Sequence, residues 1–295
     1  MKPPAFEYAA ASSVEEALAL LEAHGEDARL LAGGQSLMPA LNFRLASPSA
    51  LIDLNTVAAL AGVSTDAQGN LIAGAMTRHR FFETSELIAR RWPLLQHAMA
   101  SVAHVAIRNR GTIGGSLCHA DPSAEWPALC LACDARMTIR SRSGRRQVGA
   151  AEFSQGLFST ALAPGELLEQ VVFPAWPPTR RWGFQEIARR RGDFAIAGVA
   201  CLLDIDGGGV CGAARIVVFG VADGPMLMAD AAASLTGRVA DDPAVRSAAE
   251  QARGGVACRA DHHASAEYRA ELVEALTARA LVQALTQPPP PSSHA

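Results

Sequence analysis

Hydrophobic and polar positions change period repeatedly along this chain, so short strands and helices are expected rather than long uniform elements. Phe6 to Ala11 alternates like a strand, and Ser13-Val14-Glu15-Glu16 has the form of a capping box. The helix it opens carries Ala17, Leu18, Leu20 and Leu21 on its apolar face and stops at Gly25. Ala28 to Ala32 is a short apolar strand that runs into Gly33-Gly34. Ser36 to Phe43 then predicts a helical turn and Leu51 to Leu54 another strand, giving a small βαβ-like unit.

From Gly62 to Met76 the alternation and the Gly69-Asn70 turn predict a hairpin, and two helices are expected over Arg78 to Arg90 and Trp92 to Val102. The polar segment Ile107 to Gly111 is expected to turn. Ala135 to Ser141 and Gln147 to Ala151 predict a second hairpin, with a further strand over Leu167 to Phe173. Three prolines within Pro174-Ala-Trp-Pro-Pro178 can neither continue a helix nor pair in a sheet, which marks a linker. Strands follow at Gly183 to Ala188, Ala195 to Ile205 and Ala213 to Val221, with Asp206 to Gly209 as a turn, and the clearest helix runs from Ala264 to Leu285. The organisation expected is α+β: subdomains at 1–58 and 59–175, a C-terminal domain at 179–287 and a disordered proline-rich tail at 288–295.

Composition narrows the partners. The 295 residues are 49% hydrophobic and 19% charged, enough for two or three packed units. A net charge of −3 with only 5% aromatics excludes the basic, aromatic-interleaved face of a nucleic-acid binder. Arg140, Arg142, Arg145 and Arg146 surround Ser143-Gly144 and fit a solvated hairpin tip. The absence of a long apolar run and of a signal pattern leads to the expectation of a cytoplasmic protein without a transmembrane segment. Six scattered cysteines and unpatterned histidines give no metal-ligand framework, so no metal or iron–sulfur cluster is expected in this chain.

Two glycine-bearing segments carry the candidate chemistry: Ala32-Gly33-Gly34-Gln35-Ser36 and Thr112-Ile113-Gly114-Gly115-Ser116. Each joins adjacent glycines to a nearby hydroxyl and an apolar run, which suits backbone amides to a phosphate. Neither is a dinucleotide fingerprint or a P-loop, because G-x-G-x-x-G and the P-loop lysine are both missing. Two such segments converging would suit a pyrophosphate. A valine at Gly33 or Gly114 is then expected to block the phosphate and lose the ligand without unfolding the chain. Asp121 is expected to cap the turn after it rather than pair with Glu125 in acid chemistry.

The strings LLAGGQSLMPALNFRL, GTIGGSLCHADPSAEWPA and RRRGDFAIAGVA, in this order, resemble the FAD-binding medium subunit of the molybdenum hydroxylases, the xanthine dehydrogenase and carbon monoxide dehydrogenase family. The resemblance covers the chain from about residue 4 to residue 286. It implies two N-terminal α/β subdomains sharing an FAD in a PCMH-type, vanillyl-alcohol-oxidase-like fold, followed by a C-terminal domain with a small antiparallel sheet and helices. It also implies FAD contacts from Ala32, Gly33, Gly34, Gln35, Ser36 and Leu37, from Thr112, Ile113, Gly114, Gly115 and Ser116, and from Thr77 and Val102. Glu125 stands where relatives commonly carry aspartate, and Gln185 where several carry lysine, which removes a positive charge near the flavin. Leu168 matches a residue that packs on the cofactor.

What the resemblance implies for function is electron transfer, with no catalytic residue in this chain. A large molybdopterin subunit would oxidise substrate, a small subunit with [2Fe–2S] clusters would pass electrons on, and this chain would deliver them from FAD to an external acceptor, in a dimer of heterotrimers. Two other readings of the residues stay open: a stand-alone FAD-dependent oxidase or reductase, with Phe194 and Trp126 as candidate pocket walls, and a non-enzymatic nucleotide-binding scaffold.

Overall fold

The computed structural model describes residues 2–287, so the tail expected at 288–295 lies outside the described residues. The chain starts with β1 (Glu7–Ala10), α1 (Val14–His24), β2 (Ala28–Leu31), α2 (Leu37–Asn42), β3 (Ala50–Asp53), β4 (Val63–Thr65) and β5 (Leu71–Gly74). Short helices follow: α3 (His79–Thr84), α4 (Glu86–Arg91), α5 (Pro93–Ala98), α6 (Val105–Arg108), α7 (Ile113–His119) and α8 (Glu125–Ala132). Next come β6 (Arg136–Ser141), β7 (Gly144–Gly149), α9 (Ala150–Phe153), β8 (Ser154–Gly156), β9 (Ser159–Thr160) and β10 (Leu167–Phe173). The C-terminal third holds β11 (Arg180–Ala188), β12 (Ala195–Ile205), β13 (Cys211–Phe219), β14 (Met226–Leu227), α10 (Ala229–Leu235), α11 (Asp242–Gly254) and α12 (Ala266–Thr286). Among the described residues, no helix is long and apolar enough to cross a membrane.

The elements gather into two compact units. Among the described residues, the first comprises 2–81, 104–120 and 135–174, and the second 82–103, 121–134 and 175–287. In the first unit, β1 and β2 both pair in parallel with β3, giving the order β1-β3-β2. Ser13 caps α1 by accepting from the Glu16 N–H, while the Glu16 carboxylate reaches back to the Ser12 N–H at 2.7 Å. The apolar face of α1 (Ala17, Leu18, Leu21) packs with Ala50, Ile52, Leu54, Leu60 and Leu167. A five-stranded antiparallel sheet in the order β4-β5-β10-β6-β7 completes this unit. At its edge the arginines of the β6–β7 hairpin are paired: Arg145 with Glu169 at 2.6 Å, Arg146 with Glu166 at 2.6 Å, and Arg142 with Glu22.

In the second unit β11, β12, β13 and β14 form an antiparallel sheet whose buried face packs on α10, α11 and α12. The close packing has a backbone cause. Gly183 on β11 lies so near α12 that a Cβ there would come within 2.6 Å of the Ala280 carbonyl carbon. Arg269 on α12 is buried and bonds the carbonyls of Ile196 and Gly220 and, at 2.6 Å, Asp261.

Two local expectations change. The segment expected as two helices from Arg78 to Val102 is α3, α4 and α5, because Ser85 caps one new start and Pro93 occupies the first turn of another. The polar turn at 107–111 begins inside a helix, α6, which ends at Arg108. His262 and His263 lie in a loop, and their rings touch with centroids 3.7 Å apart.

Candidate functional site

The first unit brings both glycine segments together. Gly33 follows β2 and is buried against the other segment's approach: a Cβ on Gly33 would stand 2.8 Å from the Gly111 Cα, with the Arg110 carbonyl nearer still. Gly34 takes φ +73, a left-handed conformation that glycine adopts without strain. From the other side, Gly114 lies on Ala75, where a Cβ would come within 2.6 Å of the Ala75 Cβ, and a Cβ on Gly115 would stand 3.5 Å from that of Ala32. The Thr77 carbonyl accepts from the Ile113 N–H at 3.0 Å. Ile113, Thr112 and Leu168 are all buried, and α7 packs on β10.

The two segments differ as hydrogen-bond donors. In the second, the four amides from Ile113 to Ser116 already have protein acceptors: Ile113 bonds Thr77, Gly114 bonds Ala75 at 2.8 Å, Gly115 bonds the Thr112 hydroxyl at 3.0 Å and Ser116 bonds the Thr112 carbonyl. In the first, no described residue supplies an acceptor to the N–H groups of Gly33, Gly34, Gln35, Ser36 or Leu37. Five successive free amides with a glycine in the left-handed region are a donor set of the kind that takes an oxyanion. The expected pair of amide cradles is therefore one open row of donors and one closed turn that supports it. The expectation that valine at Gly33 or Gly114 would spare the fold is corrected too, because a side chain at either position meets protein backbone.

Polar side chains tie this region together. Asn55 donates to the Ala32 carbonyl at 2.9 Å and to Asp53, and Tyr8 donates to Asp53 at 2.7 Å. Burial pushes the Asp53 carboxyl up, but hydrogen bonds from Asn55 and Tyr8 and the charge of Arg110 outweigh it, leaving its pKa below the usual value. Arg78 bonds the Arg110 carbonyl and, at 2.6 Å, Asn55 Oδ1. Behind it, burial and the charges of Arg108 and Arg78 lower the His79 pKa to about 3, so its imidazole is neutral at physiological pH. The Thr77 hydroxyl donates to the Gly62 carbonyl at 2.8 Å and keeps only acceptor capacity.

The remaining candidates belong to the second unit. Val102 is buried there. Glu125 opens α8 and is buried, and burial followed by the charge of Asp121 raises its pKa. Asp121 accepts from the Ser123 N–H at 2.9 Å, the turn-capping role expected of it. Gln185 donates to Gln283 of α12 at 2.9 Å. Strand alternation puts its neighbour Glu186 on the opposite face of β11, and it is Glu186 that interacts with Glu125. Burial and the Glu125 charge raise the Glu186 pKa, a bond with Ser101 opposes this, and Glu186 Oε2 is buried without a partner. Trp126 is fully buried, whereas Phe194 is exposed.

Sequence reasoning missed Arg78, Asn55 and Glu186. Asn55 lies two residues beyond the end of the strand at Asp53, a place where such side chains bond neighbouring backbone, and this was a usable signal. Nothing local marked Arg78 or Glu186, whose partners are distant in sequence.

Comparison with known proteins agrees with this geometry. Residues 4–176 match the family model for the FAD binding domain in molybdopterin dehydrogenase, and residues 182–284 match that for the CO dehydrogenase flavoprotein C-terminal domain. The chain is 42% identical over 285 residues to the 6-hydroxypseudooxynicotine dehydrogenase complex subunit alpha of Paenarthrobacter nicotinovorans, a match covering 97% of this chain and 96% of that one. It is 34% identical over 284 residues to the carbon monoxide dehydrogenase medium chain of Afipia carboxidovorans, covering 96% and 98%. Among solved structures, a chain of quinoline 2-oxidoreductase from Pseudomonas putida 86 superposes with a TM-score of 0.92 at 42% identity, covering 97% of this chain and 98% of that one. Matched by both family models and by relatives over nearly its whole length, this protein belongs to the FAD-binding medium subunits of the molybdenum hydroxylases.

Proposed function

We propose that this chain is the electron-transfer subunit of a heteromeric molybdenum hydroxylase, relaying electrons from a small [2Fe–2S] partner to an external acceptor. The single observation that carries the reading is the row of five unpaired amides from Gly33 to Leu37, whose donor chemistry suits the FAD pyrophosphate. Those amides and the Ser36 hydroxyl would hold the phosphates. Thr112 to Ser116, in which the amides of Ile113 to Ser116 are satisfied, would brace the loop from behind and offer the Ser116 hydroxyl to the cofactor, with the buried Ile113 side chain as part of that support.

When bound, FAD supplies one- and two-electron redox chemistry, so this chain has no need of a general acid or base of its own. The protein's task is to bind, orient and tune. Thr77 and Leu168, in the same unit as the amide row, are proposed to complete the cofactor's surroundings there. The partners proposed are a large molybdopterin subunit and a small [2Fe–2S] subunit, in a cytoplasmic dimer of heterotrimers. This is supported by the complex-subunit and medium-chain character of the relatives.

Purification of the native complex tests the proposal. About one acid-releasable FAD per copy of this chain is expected, as one amide row allows, with molybdenum and iron in the co-purifying subunits. A native complex without FAD overturns it.

A further inference from the structure

Arg78 occupies an unusual place between the two glycine segments. Its backbone pairs with Thr112, the residue that caps the second segment, and the His79 N–H bonds the Gly111 carbonyl at 3.0 Å. One arm of its guanidinium bonds the Arg110 carbonyl, the same group that sits against Gly33. The other arm bonds Asn55 Oδ1 at 2.6 Å, and Asn55 Nδ2 bonds the Ala32 carbonyl at 2.9 Å, immediately before Gly33. One cation thus ties the backbone just before the open amide row, through Asn55, to the backbone that leads into the second glycine segment. Asp53, Tyr8 and Asn55 fix the far end of this chain of bonds.

We infer that Arg78 is a positioning residue, a clasp that locks the second glycine segment behind the first through the Arg110 carbonyl and Asn55 and thereby keeps the Gly33–Leu37 amides in the geometry that binds FAD. The inference rests on the FAD reading of the same site. A guanidinium suits the task because its planar fork serves two acceptors at once, which a lysine ammonium on its flexible stem does less well. Arg78 itself need not touch the cofactor. Its effect is exerted on the backbone that does.

The test uses the full chain stripped of flavin and titrated with FAD, with thermal unfolding of the flavin-free protein measured alongside. Arg78→Ala and Asn55→Ala are each expected to weaken FAD binding by about tenfold, as loss of a charge-assisted bond would. The double variant should be little worse than either single one, because both cut the same chain of bonds. Guanidinium ion added to Arg78→Ala should restore part of the affinity without moving the unfolding midpoint, a response that a merely structural residue would not give. If Arg78→Ala fails to fold, Asn55→Ala decides the matter on the same affinity criterion. FAD affinity within twofold of wild type in the variants, with wild type binding normally, overturns the clasp alone. A wild-type chain that binds no FAD overturns the proposed function instead.

Discussion

Gly33 shows why a glycine near a phosphate site need not be there for the phosphate. Its missing side chain makes room for the Arg110 carbonyl and Gly111, which lie across the chain on the protein side of the loop. Alanine there is expected to cost about 1–3 kcal/mol, the usual range for overpacking, and to lower FAD occupancy together with stability. Gly34 is different, since its φ of +73 makes conformation the constraint and its neighbours, Met38 Cγ at 3.3 Å and Leu31 Cδ1 at 3.4 Å, are flexible side chains. Thermal unfolding and flavin content of Gly33→Ala and Gly34→Ala separate the two causes. A Gly33→Ala protein as stable as wild type would show that Arg110 and Gly111 can move aside. The glycines were conspicuous in the sequence, but the wall that Gly33 faces is built by Arg110 and Gly111, about eighty positions away, whereas Gly34 meets only Leu31 and Met38.

Among the elements, β11 and α12 show how backbone contact sets packing. Both were legible in outline: α12 runs over Ala266–Thr286 against an expected 264–285, and β11 over Arg180–Ala188 against an expected start at Gly183. The sequence could not show that they meet at Gly183, because the contact there is with the backbone of Ala280. Gly183→Ala is expected to destabilise the chain by about 1–3 kcal/mol, whereas Gly212→Ala should be nearly neutral. At Gly212 an added Cβ would find its nearest neighbour, the Asp204 carbonyl, at 3.7 Å. Equal unfolding midpoints for the two variants would contradict the close approach. The short helices α3 to α6 were harder to read, since in six residues or fewer the apolar period barely repeats and capping residues decide the boundaries.

Across the whole molecule, the carboxyls of Glu125 and Glu186 make stability depend on pH. Burial is the chief cause that lifts them, to about 7 and about 8; the Asp121 charge adds to the first and the Glu125 charge to the second. A carboxyl whose pKa is higher in the folded state contributes stability that is complete below its unfolded value, near 4.5, and is lost as pH rises through the folded value. Stability should therefore fall between about pH 4.5 and 8, and Glu186→Gln should flatten that fall by about 1–2 kcal/mol. Unfolding midpoints of wild type and Glu186→Gln at pH 5, 6.5 and 8 check this by order of magnitude; parallel curves would refute it. The sequence offered Glu125 as a candidate on its own, and only the pairing across β11 and α8 brought in its partner.

The sequence by itself determined the short α+β elements, the two glycine segments and the family, because each is written in local pattern: period, capping residues, glycine and proline positions and three ordered motifs. Tertiary structure decided which glycine amides are open, which side chain clasps the two segments and which carboxyls are paired. Those outcomes depend on residues brought together from distant parts of the chain, where one carbonyl or one guanidinium either satisfies a group or leaves it free. Residues 33–37 keep their donors because none of the described residues supplies an acceptor, and Ile113 to Ser116 lose theirs to Thr77, Ala75 and Thr112.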